Sequence, residues 1–78
     1  MARRKLAGLS GQQIIKALQR DGFELVRVSG SHYMLRKPAK TLCKVSVPVH
    51  GSQDLPARTV RSIIKQAGLT AEEFIALL

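Results

Sequence analysis

The sequence predicts an α+β fold: a two-layer sandwich with a three-stranded antiparallel sheet and helices on one face, in the order α-β-β-β-α plus a short last helix. Two observations predict it. Residues 10–22 and 58–68 carry apolar side chains at helical spacing, and 70–78 opens on a helix-start signal. Between them, residues 23–49 read as three apolar or alternating runs separated by turn residues. With 78 residues the chain is expected to form one domain, 1–78, with the first seven residues frayed and Arg3, Arg4 and Lys5 solvated.

The first helix has a marked start. Ser10 is a good N-cap, and Gln13 three residues later completes a capping box. Leu9 can pack on Ile14 as a hydrophobic staple, and Ile14, Ile15 and Leu18 form the buried stripe. Gly22 ends the helix, and Gly11 in its first turn is a mild cost. Residues 23–28 suit a strand. Ser29, Gly30 and Ser31 supply a turn, and residues 32–37 return until Pro38 stops them. Alternation places His32, Met34 and Arg36 on one face and Tyr33, Leu35 and Lys37 on the other, with Tyr33 and Leu35 more core-like.

Residues 39–41 read as a short connection to the third strand, 42–49. There Cys43, Val45 and Val47 point inward and Lys44 and Ser46 outward, while Pro48 suggests the strand's end or an edge. Cys43 reads as a small buried apolar residue. A loop follows from His50 to Ala57. In the second helix Val60, Ile63, Ile64 and Ala67 keep the helical pattern, and Arg58, Arg61 and Lys65 make a basic stripe away from it. Gly68 stops this helix. Thr70 and Glu73 form a second capping box, after which Ala71, Phe74, Ile75 and Leu78 are expected to face inward. This element order is that of a double-stranded-RNA-binding domain, although a fold alone does not assign function.

Thirteen Lys and Arg face five Asp and Glu, a formal net charge of +8. Such an excess points to a polyanion: RNA, DNA or an acidic protein. A merely basic, solubilising surface is the plainer reading. One unpaired cysteine fits a reducing compartment. No signal-like apolar stretch follows the basic start, and no run approaches the ~20 residues that span a bilayer. A soluble, cytoplasmic protein without membrane contact is expected.

Few chemistries fit the residues. P-loop, GxGxxG and HExxH motifs are missing, and two histidines with one cysteine make a weak metal set, so no metal or cofactor is expected. RNA, however, carries its own nucleophile, the 2′-OH. A histidine with an ordinary pKa near 6.5 can take that proton without a metal, and nearby Lys or Arg can stabilise the charge that develops. His32 is then either the group that does chemistry or a strand histidine bonded to backbone. On the residues alone the second is the more common case.

The order "SGQQIIKALQRDGFELVRVSGSH", "VSVPVHG" and "RTVRSIIKQAGLTAEEF" resembles the HicA toxins, mRNA interferases of bacterial HicAB toxin–antitoxin modules, over residues 8–77. The resemblance implies the double-stranded-RNA-binding-like fold and metal-independent endoribonuclease activity on mRNA. It implies that the essential histidine is His32, in Gly30-Ser31-His32. It also implies a HicB-type antitoxin that binds the toxin and masks its site. One departure stands at the second helix, Pro56-Ala57-Arg58-Thr59, where Arg58 occupies a position usually held by glycine; the His32 assignment does not depend on it.

With that resemblance, His32 is the expected catalytic residue. Ser31, Arg36, Lys37, Lys44, Arg58, Arg61 and Lys65 are candidate RNA contacts, each with a plainer reading as a turn residue or solvated cation. Gly30 is first a turn residue. His50 could protonate the leaving 5′-oxygen, or serve structure or substrate contact. Two other functions stay open: a non-catalytic RNA-binding domain of this fold, and a basic module that docks an acidic protein.

Overall fold

In the computed structural model, which describes residues 6–78 and their side chains except those of 40–42, the elements run β1 (Leu9–Ser10), α1 (Gly11–Arg20), β2 (Glu24–Ser29), β3 (His32–Lys37), β4 (Lys40–Pro48), β5 (Asp54–Leu55), α2 (Ala57–Gln66) and α3 (Ala71–Ala76). β2, β3 and β4 form an antiparallel sheet with β3 in the centre, and the helices cover one face of it. This is the predicted α+β arrangement, consistent with a double-stranded-RNA-binding-like fold. The expected fraying falls mostly outside the described residues, which begin at Leu6. Leu6 itself is half-buried against the core.

Both long helices end alike. Gly22 takes φ +103° after α1; its N–H donates to the Gln19 carbonyl and that of Phe23 to Leu18. Gly68 takes φ +73° after α2; its N–H donates to Lys65 and that of Leu69 to Ile64. Each is a Schellman motif, which satisfies carbonyls a helix end would leave bare. Their starts differ. Ser10 and Gln13 close the expected capping box at 2.9 and 3.3 Å, whereas Pro56 heads α2 with no side-chain cap. Thr70 and Glu73 close the other box at 2.8 and 3.1 Å.

The sheet differs from the sequence expectation in three places. β2 starts one residue later and carries a bulge: Leu25 faces Leu35, but Arg27 faces Met34, leaving Val26 as the extra residue. The turn is correspondingly tight. Ser29 pairs His32, so the loop is only Gly30-Ser31. Gly30 has φ +58° and Ser31 stays at negative φ, the pattern of a type II′ turn. The expected connection at 39–41 is mostly strand, because Lys40 already pairs with Lys37 across Pro38-Ala39. The expected loop after His50 contains β5, which pairs with β1 through Leu9↔Leu55 and Ser10↔Asp54.

One core forms where the helices meet the sheet. Ile14, Leu18, Val45, Val47, Val60 and Phe74 have no exposure at all, and Ile63, Ile64 and Ala67 join them as the α2 pattern requires. α3 is shorter on its inward side than expected. Only Phe74 is buried; Ile75 and Leu78 are half-buried and Ala71 is exposed, since Ala71 lies in the first turn, past the edge of the core. Cys43 is half-buried rather than enclosed, its thiol 3.4 Å from the Ala67 carbonyl at the end of α2. Among the described residues no helix is long and apolar enough to cross a membrane.

Gly11 is more than a mild cost. It is buried, and a Cβ there would collide with the Pro48 carbonyl and touch Val49. Glycine lets α1 start directly against the end of β4. Gly→Ala in a helix ordinarily stabilises by about 0.4–1 kcal/mol. Here Gly11→Ala should instead destabilise by about 1–3 kcal/mol through overpacking, read as a lower urea midpoint at unchanged slope. A raised midpoint would show that α1 does not press on Pro48.

Candidate functional site

The helices bury one side of β3, and among the described residues no element covers its other side. Leu35 is 1% exposed and faces Val45 and Leu25 across the ladder. Alternation then turns His32, Met34 and Arg36 to the uncovered face. The cross-strand partners share that face: Lys44 beside Arg36, Ser46 beside Met34, and Pro48 beside His32 on β4. On β2 they are Glu24 beside Arg36, Arg27 beside Met34, and Ser29 beside His32. His32, Arg27, Arg36 and Lys44 are all exposed.

His32 stands at the first position of the central strand, against the II′ turn. Two short side chains flank it, Ser29 and Pro48, so its ring is not walled in. Ser31 is half-buried, and its carbonyl accepts from the Val49 N–H at 2.7 Å. That bond extends the β3–β4 ladder past Pro48 and brings His50 to the same end of the sheet. His50 is exposed, and its carbonyl accepts from the Gln53 N–H at 3.1 Å.

Both long helices start at this end. α1 begins at Gly11, packed on Pro48 and Val49, and finishes near Lys37, where Asp21 meets that side chain. α2 follows β5, which is paired to β1 just before α1, and it finishes beside Cys43 at the opposite end of β4. Two helix N-termini, each with partial positive charge, thus lie at the His32 end.

The candidate cations divide into three groups. Arg36 and Lys44 lie directly opposite one another on the open face with His32. Like charges directly opposite one another destabilise a sheet. Among the described residues the one ion pair within 4 Å is Lys37 with Asp21, at 2.8 Å; Glu24 stands directly opposite Arg36 on β2, and the residue opposite Lys44 is Arg36. Lys37 stands apart, as alternation predicts. It points to the helix side, its ammonium held by Asp21 and 5.6 Å from the Phe23 ring centre, so it does not join His32. Arg58, Arg61 and Lys65 are exposed on the side of α2 opposite Val60, Ile63 and Ile64, hence in the other layer. Arg58 lies in the first turn, at the His32 end, while Lys65 lies towards the far end.

The sequence reading missed two members of the open face, Arg27 and Val26. Straight alternation from Leu25 would have put Arg27 on the helix side, and the bulge reverses it. Among the described residues no three His, Cys, Asp or Glu side chains cluster as a metal would require.

An exposed imidazole on a face that also carries Arg27, Arg36 and Lys44 can exchange a proton with an anion bound there. No curated protein matches the chain. The family model described as HicA toxin of bacterial toxin–antitoxin matches residues 11–69, from the first residue of α1 to the residue that closes the α2 Schellman motif, and the chain belongs to that family of toxins.

Proposed function

We propose that this toxin is a metal-independent endoribonuclease that cleaves mRNA, with His32 as its general acid–base. The observation that carries the reading is the placement of His32: exposed, at the head of the central strand, on the same open sheet face as Arg27, Arg36 and Lys44. Family membership makes the chain a toxin and implies an antitoxin partner. We take that partner to be HicB-type and the setting to be the cytoplasm.

The chemistry follows from the substrate. His32 takes the proton of a 2′-OH, whose oxygen attacks the neighbouring phosphorus. The O2′–P bond forms and the P–O5′ bond breaks, leaving a 2′,3′-cyclic phosphate and a 5′-hydroxyl. The proton needed by O5′ comes from water, from the imidazolium or from His50. Arg36, with Lys44 opposite it, stands four residues along β3 from His32, about 13 Å at strand rise, so the two hold neighbouring phosphates of the strand and add a longer-range positive potential at the scissile one. Ser31 and Gly30 present backbone at the turn that abuts the scissile step. Arg58, Arg61 and Lys65 would meet more distant phosphates, with Arg58 nearest in the fold. Lys37, already ion-paired, is assigned to structure.

A plain RNA-binding role is the second reading, favoured by the separate cationic surface on α2. Cleavage in EDTA by the wild-type chain, with 2′,3′-cyclic and 5′-hydroxyl ends, decides between them. His32→Ala should lose at least about 10²-fold in rate, the usual worth of a positioned acid–base group, with an unchanged far-UV spectrum. A folded His32→Ala protein that still cleaves would remove the mechanism.

His50→Ala tests His50 as the donor of the proton that O5′ needs. A rate within a fewfold of wild type assigns His50 to structure or contact, and a loss near that of His32→Ala assigns it the leaving oxygen. RNA affinity should also fall steeply with salt, in a log–log plot with a slope of about −0.7 per phosphate contact on a single strand. Salt-independent binding would contradict the cationic face as the RNA surface.

A further inference from the structure

The bulge in β2 opens a shallow groove of about 220 Å³ on the uncovered sheet face, lined by Val26, Arg27, Met34, Leu35, Arg36 and Lys44. Its floor is apolar and its rim cationic. Val26 is 56% exposed, the most exposed of the three large apolar residues of edge strand β2, and Met34 is half-buried beside it. Three cations bound the groove, against one acid, Glu24, on the same face among the described side chains, and none of the three is in an ion pair.

We propose that this groove is a subsite for one unpaired nucleotide of a single-stranded RNA, its base on Val26 and Met34 and its phosphates on Arg27, Arg36 and Lys44. The inference rests on the ribonuclease reading and adds to it a substrate class and the residues Arg27, Val26 and Met34.

The joint chemistry of the lining selects the occupant. A duplex offers phosphates but keeps its base faces stacked, so the apolar floor would stay unused. A single strand brings both an anion and a planar apolar surface at each nucleotide. An acidic peptide would satisfy the cations, and its binding is one of the outcomes tested below. Position supports the RNA. Met34 is two residues along β3 from His32, about 7 Å at strand rise, so a strand passing His32 continues over the groove. The bulge accounts for the geometry, because it puts Arg27 across from Met34 while Val26 stays on the surface as the unpaired extra residue.

The test uses the full chain carrying His32→Ala, so that RNA survives, with a fluorescein-labelled unstructured RNA oligonucleotide read by polarisation. The oligonucleotide should bind more tightly alone than annealed to its complement. Arg27→Gln should weaken single-strand binding about tenfold, the effect of one charge-assisted contact, and flatten the log–log salt slope by about 0.7. Lys16→Gln, on the exposed side of α1, should change neither. Replacing the bases by abasic sugars should weaken binding severalfold, and Met34→Ser should abolish that difference. Arg27 is exposed and Met34 half-buried, so circular dichroism should show both variants folded.

Equal binding of single strand and duplex, or wild-type RNA affinity in both variants, overturns the subsite while the ribonuclease reading stands. So does a loss on Arg27→Gln confined to a fluorescein-labelled polyglutamate peptide. If the parent protein binds no RNA at low salt and wild type cleaves none, the ribonuclease reading falls and the subsite with it.

Discussion

Leu35 sets the phase of the central strand. It sits in the core between Leu25 and Val45, and side chains in a strand alternate strictly, so one buried leucine decides where its neighbours point. A slip of one residue would expose Leu35 and drive Arg36 into the helix layer. Losing the leucine costs about 1.5–3 kcal/mol, and burying an unpaired guanidinium costs several more. No small domain tolerates that sum. The imidazole at the head of β3 and the cations along it are therefore held on the open face by a packing constraint made on the other side of the sheet.

The rest of the molecule divides between the two sides. Toward the core, charge is rare and compensated: Lys37 lies on that side, and Asp21 holds it. On the open face, Arg36 stands between Glu24 on β2 and Lys44 on β4, and neither cation is within 4 Å of a carboxylate among the described residues. The Arg36–Lys44 pairing costs the sheet some stability. The cost is small beside the core energy, and an anion on this face reverses its sign. The helices add to the same field, since both long ones direct their N-termini toward the end where His32 stands.

Local signals made much of this legible. Ser10 with Gln13, Thr70 with Glu73, and glycines 22 and 68 mark helix ends because caps are contacts within a few residues of sequence. The faces of β3 and β4 could be read because Leu35, Val45 and Val47 interrupt polar neighbours at period two. What could not be read depends on contacts made at a distance. The bulge at Val26 has no sequence mark, as Leu25, Val26 and Val28 all suit a strand, and it hid Arg27. β1 and β5 are two residues each and exist only because the chain ends of two helices meet. Alternation places Lys37 on the face away from His32, but its ion pair with Asp21 depends on the turn after α1. Gly11 looked like a weak helix residue until the end of β4 was found pressed on it. Family resemblance, rather than pattern, singled out His32.

The central claim is that RNA meets the uncovered face of the sheet and not the outer face of α2. Photo-cross-linking a 4-thiouridine-containing single-stranded RNA to the His32→Ala protein, with the linked peptides mapped by mass spectrometry, tests it most directly. The account predicts cross-links within β2, β3 and β4, centred on residues 26–36 and 44–46. Cross-links confined to α2, around Arg61 and Lys65, would contradict it.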